Sequence, residues 1–261
     1  MTSLNPAVQN LPQQSHPYVD RKRWAWLLSV IGPAISMVGT LAVSVFGVGT
    51  WILFFPLVFF YGLVPLLDYL IGEDTSNPPE SSIAALEADP YYRWITYATI
   101  PVLWVSVIFN CIFLCSYSLS AMEWMATVIA TGSVLGFGLN VSHELGHKLQ
   151  KLPRKIALFN TALGVYGHFS IEHNRGHHRH VSTPEDPASS KMGENIYQFA
   201  CREIPGGAFR AWQLESDRLH RQNKSSWHFE NEILQALCLS ILVHGTLIGF
   251  YGIEMVMVLV P

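Results

Sequence analysis

Long runs of apolar residues constrain this sequence more than any other feature. A helix needs about 20 apolar residues to cross the hydrocarbon core of a bilayer. Five runs reach that length: Trp24 to Phe46, Trp51 to Ile71, Ile95 to Leu119, Met122 to Val141, and a fifth from about Ile233 to Pro261. Only 13% of the residues are charged, whereas a soluble domain carries about 25%. A soluble all-helical core is the alternative, but four such runs within the first 141 residues favour an all-α, polytopic transmembrane bundle.

The basic residues predict how this bundle is oriented. Three of the sixteen Lys and Arg residues are Arg21, Lys22 and Arg23, and twelve lie between Lys148 and Lys224. An even number of crossings separates the two groups, so both lie on one side of the membrane, which the positive-inside rule makes the cytoplasm. The net charge of −3 and the lack of a basic patch interleaved with aromatic residues argue against nucleic-acid binding.

This orientation divides the chain into regions. We expect a flexible N-terminal arm (1–20), four transmembrane helices in two hairpins (21–141), a helical, histidine-rich cytoplasmic cap (142–231) and the start of a further transmembrane helix that is cut within the span (232–261). Residues 72–94 should form a cytoplasmic loop between the hairpins. Within the cap, turns are expected at Ser182-Thr183-Pro184 and at Pro205-Gly206-Gly207, because Gly and Pro punctuate helices.

Histidines are concentrated in the predicted cap, and seven of the eleven fall in its first half. His143 and His147 stand four residues apart at the end of the fourth apolar run, so on a helix they project from one face. In the second motif, α-helical periodicity places His173 and His177 on one face and turns His178 about 100° away. This second motif could therefore give two ligands to one metal and a third to a neighbouring metal.

Two metal chemistries fit these motifs. His143 to His147 matches HExxH, the signature of zinc proteases in which the acidic residue, here Glu144, is the general base. Such a site needs one further ligand and has no use for a second histidine cluster. Imidazole suits iron as well as zinc. The second cluster therefore favours an iron site, in which Glu144 lies beside the metal ligands or on the surface.

Four strings carry a resemblance to a known family: HELGHK at 143–148, GHFSIEHNRGHHRHVSTPEDPASS at 167–190, LLDYLIGEDTSNPPE at 66–80 and NEILQ at 231–235. From about Tyr18 to the C-terminus, the sequence resembles the bacterial membrane alkane 1-monooxygenases. These belong to the superfamily of membrane fatty-acid desaturases and hydroxylases. The histidine motifs alone would indicate only the superfamily, whereas the flanking strings select the alkane hydroxylase branch.

The resemblance implies a pair of non-haem irons held by nine histidines from four motifs. Five of these ligands carry over to this sequence: His143, His147, His173, His177 and His178. The other four would come from an NYxEHYG and an HxxHH segment, neither of which this sequence contains. We therefore expect a C-terminally truncated chain that cannot complete the iron pair.

The resemblance assigns the remaining histidines to other roles. His168 is not a ligand in the family, and we place it next to the ligands or in a structural role. His180 is expected to lie in solvent or beside the ligands. The other four histidines are expected to be structural: His16, His220, His228 and His244.

Two residues of the second apolar run are further candidates. Asp68 is an ionisable residue at the edge of the membrane, where it is a functional candidate by default; a capping or interfacial role is the alternative. Phe60 lies about two turns deeper, and alignment with the family assigns it to a substrate channel between helices. Ordinary packing is the alternative for Phe60.

The resemblance also implies the reaction. The family hydroxylates the terminal methyl group of medium-chain n-alkanes to a primary alcohol with O₂, using electrons from rubredoxin and its reductase. The chain would then be a multi-pass protein of the bacterial inner membrane with a cytoplasmic active site. It holds no flavin, haem or Cys₄ iron motif, since its four cysteines form no CxxC pair. A fatty-acid desaturase or hydroxylase of the same superfamily and a non-catalytic relic are the alternatives.

Overall fold

The regular elements of the described part of the chain are all helices. The computed structural model describes residues 18–255, so most of the predicted arm (1–20), His16 and residues 256–261 lie outside it. In chain order the helices are Arg23–Phe46 (α1), Thr50–Ile71 (α2), Glu80–Ala88 (α3), Pro90–Ser116 (α4), Ala121–Gly146 (α5), Lys151–Leu163 (α6), the joined segments Phe169–Glu172, His173–His177 and His178–His180 (together α7), Ile196–His220 (α8) and Glu232–Tyr251 (α9). Among the described residues, five helices are long and apolar enough to cross a membrane, namely α1, α2, α4, α5 and α9. The predicted all-α membrane bundle is confirmed.

Local sequence signals set the ends of these helices. α1 ends at Gly47, whose φ of 63° lies in the left-handed region that glycine adopts without strain. α4 follows Asp89, whose carboxylate accepts a backbone N–H, and has Pro90 in its first turn. α5 begins with a capping box between Ser120 and Glu123. The end of α1 coincides with the end of the first predicted run, and α5 begins one residue before the fourth.

Three predicted boundaries differ from the structure. The expected loop at 72–94 contains α3, and α4 begins at Pro90 rather than at Ile95. Polar residues lengthen these helices beyond the apolar runs, which hydropathy alone does not reveal. The fifth run was expected to continue as a helix, but α9 ends at Tyr251 because Gly252 adopts a φ of 88°.

The turn predicted at Pro205-Gly206-Gly207 is wrong, because all three residues lie inside α8. The glycines serve close packing instead. A Cβ on Gly206 would lie 3.0 Å from the Cβ of Pro187, and one on Gly207 would lie 3.7 Å from the Cγ of Glu172. The turn at Ser182-Thr183-Pro184 is present as expected, with Ser182 at a φ of 65°.

A buried asparagine joins three of the long helices. The Asn110 side chain on α4 accepts a hydrogen bond from Thr40 on α1 (2.7 Å) and donates one to Thr131 on α5 (3.1 Å). All three residues are almost fully buried. Polar contacts of this kind add to small-residue packing where lipid gives helices no hydrophobic reason to associate. They fix α5, which carries the first histidine motif, against α1 and α4.

A second asparagine fixes α6 on the end of α5 that leads to the cap. Asn160 donates to the carbonyl oxygen of Gly138 (2.9 Å) and to the hydroxyl of Ser142 (2.8 Å). Gly138 leaves room for this contact and for α4, since a Cβ there would lie 3.2 Å from the Nδ2 of Asn160 and 2.4 Å from the Cδ1 of Leu103. Ser142 directly precedes His143, so this contact holds the backbone beneath the first histidine motif.

A buried carboxylate organises the cap. The side chain of Glu215 on α8 is fully buried and accepts hydrogen bonds from Arg175 on α7 (2.7 Å) and from Arg218 (2.7 Å). It also accepts the backbone N–H of Glu232, the first residue of α9, at 2.8 Å. The Arg175 side chain then reaches the Glu232 carboxylate at 3.3 Å. One anion therefore connects the second histidine motif to the cap helix α8 and to the fifth membrane helix.

We predict that Glu215→Ala lowers the free energy of unfolding by about 3 kcal/mol, because it leaves two guanidinium groups without their shared partner. The control is Glu230→Ala. The Glu230 carboxylate pairs with Lys224 while 39% exposed, and exposed pairs contribute about 1 kcal/mol or less. Thermal and denaturant unfolding in detergent should separate the two variants. Equal losses in both would contradict the central role of Glu215.

Candidate metal centre

The first histidine motif continues α5 beyond its apolar part. His143 lies in the last turn of the helix and His147 caps it, with the backbone N–H of His147 donating to the carbonyl of His143 at 3.3 Å. The helical spacing predicted from the sequence places both rings on one side. Their Nε2 atoms lie 3.1 Å apart.

The second motif departs from the predicted α-helical geometry. His173–His177 forms a turn of π-helix, in which backbone bonds run from i to i+5 rather than to i+4. His173 and His178 therefore share a face, with their Nε2 atoms 3.0 Å apart. The predicted divergence of His178 is wrong for this reason. His177 still lies next to His173, and the two rings stack with centroids 5.5 Å apart.

Four imidazoles converge where the two motifs meet. His143, His147, His173 and His178 each offer one ring nitrogen, and these four atoms lie within 4.8 Å of one another. The Nε2 atoms of His147 and His173, which join the two helices, are 3.2 Å apart. Two ligand atoms about 2.1 Å from one metal and at right angles to each other are separated by about 3.0 Å. The nitrogen separations therefore fit a single transition-metal ion bound between the rings.

The protonation of the cluster favours metal binding. Burial, aided by the neighbouring imidazoles, lowers the pKa of His173 to about 4. Burial likewise lowers the pKa of His147. Both rings are then neutral at physiological pH, and neutral imidazole is the form that binds metals.

His177 lies beside the four-histidine group, with its ring stacked on that of His173, and a carboxylate orients it. Its Nδ1 lies 2.8 Å from the Oδ2 of Asp186, whose side chain is fully buried. Burial alone would raise the pKa of Asp186, but hydrogen bonds from Ser189, from the backbone N–H of Ala188 and from His177 bring it below its usual range. The anion therefore accepts the Nδ1 proton, which leaves Nε2 of His177 as the free nitrogen, the arrangement typical of histidines that bind metals.

Sequence reasoning did not single out Asp186, although the residue lies in one of the quoted strings. It follows His177 by nine residues across a turn, so no helical period relates the two. Its only local signal is the Asp-Pro dipeptide of a turn, which is common on any surface.

Aromatic rings pack against the centre. Phe169 stacks on His173 with ring centroids 5.2 Å apart, and Tyr166 stacks on Phe169 at 5.8 Å. The ring of His168 lies 4.5 Å from that of Tyr166. The Nε2 atom of His168 is buried without a hydrogen-bond partner, and burial lowers the pKa of this residue. His168 thus lies beside the cluster but outside the four-histidine group.

A buried acid adjoins the second motif. Glu172 directly precedes His173, and burial raises the pKa of its carboxyl group. A Cβ on Gly176 would lie 2.7 Å from the Oε1 of Glu172 and 3.1 Å from the Nε of Arg210. Only glycine leaves room for this acid beneath the π-turn.

The other predicted site residues lie away from the four rings. Glu144 is exposed and pairs with Lys148, with 2.6 Å between Oε1 and Nζ. Asp68 is exposed on α2. Phe60 is half-buried and packs against the core cluster that contains Leu103 and Val107.

The remaining histidines of the described chain have their own partners. His180 contacts the carbonyl of Gly176, His220 contacts Ser226, and His228 accepts the backbone N–H of Glu230. His244 is buried on α9, where its Nε2 lies 3.0 Å from the carbonyl oxygen of Leu163. These contacts agree with the structural roles expected for His220, His228 and His244.

The lowered pKa values predict how the metal-free protein responds to acid. Unfolding would restore an ordinary pKa near 6.5 to His173, whereas the folded ring stays neutral down to about 4. The unfolded state then binds more protons in this window, so stability falls as the pH drops from about 6.5 toward 4. His173→Gln should make the melting temperature less dependent on pH between 7 and 5. The control His220→Gln should leave that dependence unchanged, and an unaltered slope in His173→Gln would contradict the prediction.

Comparisons with known proteins place these motifs in a family. Residues 118–261 match the family model described as fatty acid desaturase. The chain is 46% identical to alkane 1-monooxygenase 1 of Alcanivorax borkumensis over 90% of its length, 45% identical to the alkane 1-monooxygenase of Pseudomonas putida over 93%, and 43% identical to that of Ectopseudomonas oleovorans over 93%. It spans 58–60% of the length of these relatives. The family model covers both histidine motifs, and the chain belongs to the fatty acid desaturase family.

Proposed function

We propose that this protein is a membrane monooxygenase that hydroxylates the terminal methyl group of medium-chain n-alkanes to primary alcohols. The observation that carries the proposal is the convergence of four histidines from both motifs on one point, in a chain whose relatives are named alkane 1-monooxygenases. The reaction consumes one O₂, two electrons and two protons per alkane. It yields one alcohol and one water.

The proposed metal is iron, as a non-haem pair. The four-histidine group would hold one ion, and His177, through the Nε2 that Asp186 leaves free, would offer a ligand on the neighbouring side. Bound iron would supply the activation of dioxygen. The protein's own contribution is to keep the rings neutral and oriented, and to bring an apolar chain to them.

A cavity between α4, α5 and α6 suits the hydrocarbon. It has a volume of about 300 Å³ and is lined mainly by apolar residues and glycines, among them Leu103, Leu135 and Gly136. Tyr166 lines its other end and stacks on Phe169, which stacks on His173. An alkane that partitions into the bilayer would enter here with its methyl end toward the histidines. Leu103 also belongs to the core against which Phe60 packs, and we propose that Phe60 borders the continuation of this channel.

The electrons must come from another protein, because the four cysteines make no cluster-binding motif. We propose rubredoxin, reduced by its reductase, as the donor. It would dock on the cap, which faces the cytoplasm in our proposed orientation of the bacterial inner membrane. Twelve of the sixteen Lys and Arg residues lie in or next to this cap, which is the charge distribution of a cytoplasmic face.

A fatty-acid substrate is the second candidate, because the family model that matches is named for desaturases. Product analysis decides between the two. The holoenzyme is supplied with reduced rubredoxin and with octane or with a fatty acid of 16 carbons. Octan-1-ol as the main product supports the proposal, whereas unsaturated or hydroxylated acids alone would replace it with the second candidate.

We predict that alanine at any of His143, His147, His173, His177 and His178 abolishes hydroxylation and lowers the iron content. Loss of one ligand removes both metal affinity and geometry. His228→Ala is the matched control, since His228 lies in the cap outside the cluster, and it should retain activity and iron. Zinc in place of iron in the purified protein, or full activity of His177→Ala, would show that the assignment is wrong.

We predict that Phe60→Ala shifts the preferred alkane toward longer chains without lowering iron content, because a smaller side chain extends the space beside Leu103. Phe55→Ala is the control, since Phe55 lies on the same helix and is 37% exposed. Competition among alkanes of 6 to 16 carbons, analysed by the chain length of the alcohols, measures the shift. An unchanged product distribution for Phe60→Ala would assign this residue to packing.

A further inference from the structure

A second and larger cavity adjoins the metal centre, because His147 is among its lining residues. Its volume is about 560 Å³, and it opens between the end of α5, the start of α6 and the start of α9. Gly146 ends one candidate membrane span and Glu232 begins another, and both line this cavity. The cavity therefore lies at the level where the spans leave the hydrocarbon, which is the level of lipid headgroups.

The lining of this cavity is strongly cationic. Six basic residues face two carboxylates, those of Glu230 and Glu232, and the basic residues are Lys148, Lys151, Arg154, Lys155, Arg175 and Arg218. The two arginines nearest α8 are neutralised by the buried Glu215. Lys151 and Arg154 make no ion pair or side-chain hydrogen bond with any residue between 18 and 255. The uncompensated charge is thus concentrated on the first turns of α6.

Apolar side chains alternate with these cations. Leu149, just before α6, is 94% exposed, and Leu152, in the first turn of α6 with Lys151 and Arg154, is 62% exposed. Exposed leucines between basic residues are typical of a segment that lies in the membrane interface. Basic pockets beside membrane helices bind phospholipid headgroups.

We propose that this cavity binds the phosphate of an anionic phospholipid, with Lys151 and Arg154 as the principal contacts. The acyl chains would extend past Leu149 and Leu152 into the bilayer, and the headgroup would enter beside the end of α5. A free phosphate ion would use the same cations but would gain nothing from the leucines. An acidic protein would need a surface wider than a cavity between helix ends.

The experiment counts lipids on the detergent-solubilised holoenzyme by native mass spectrometry. The protein is titrated with dioleoylphosphatidylglycerol, with dioleoylphosphatidylcholine and, as a competitor, with inorganic phosphate. We expect one phosphatidylglycerol per chain, bound at least tenfold more tightly than phosphatidylcholine. The double variant Lys151→Gln with Arg154→Gln should weaken this binding about tenfold. All of these side chains are exposed, so folding should not change.

A matched control removes two exposed cations of the cap that do not line the cavity. Lys191→Gln with Arg221→Gln makes the same change in net charge and should leave lipid binding within twofold of the parent protein. Equal affinity for the two lipids, or equal weakening in both double variants, would overturn the proposal. Displacement of phosphatidylglycerol by millimolar inorganic phosphate would assign the cavity to a free anion instead. Loss of binding to an acidic electron donor in the first double variant, with lipid binding intact, would assign it to a protein.

Discussion

The convergence of four imidazoles on one point is the constraint on which the rest of the structure depends. Nitrogen atoms 3.0–3.2 Å apart cannot all carry protons that point at one another, and four positive rings at this distance would repel strongly. The cluster is therefore stable only with most of its rings neutral. A shared cation is the one partner that satisfies all four lone pairs at once. The surrounding fold must therefore hold the four rings together, although each imidazole on its own would be better hydrated apart from the others.

Two buried polar side chains keep the histidine motifs in position, one on each side of the centre. On the membrane side, Asn160 binds Ser142, the residue before His143. On the cap side, Glu215 binds Arg175, which lies between two histidines of the second motif. Buried networks of this kind are rigid when complete and costly when broken. Each histidine motif is thus fixed through an adjacent residue, Ser142 for the first motif and Arg175 for the second, whose side chain contacts a different helix.

The sequence predicts those structural features that follow from the length of an apolar run or from a regular spacing of residues. Apolar length identifies the five spans, and a spacing of four residues correctly pairs His143 with His147. α-Helical spacing fails for His178, because the π-turn depends on packing that no local pattern records. Gly176 meets Glu172 and Arg210 there, and these contacts come from α7 itself and from α8. The contact of Asp186 with His177 is likewise not predicted, because a turn separates the two residues and no regular spacing relates them.

The π-turn also explains why the second motif contains two adjacent histidines. In an α-helix, His177 would share the face of His173 and would enter the cluster, while His178 would turn away. The wider turn brings His178 into the group, while the ring of His177 still stacks on that of His173. His178 reaches His173, and His177 turns toward Asp186, which orients it from outside the group. Because π-turns are less stable than α-helical ones and concentrate at functional sites, the packing of Glu172 beneath Gly176 has to stabilise it. The acid that lacks a hydrogen-bond partner at its Oε1 thus lies beneath the turn that brings His178 into the four-histidine group.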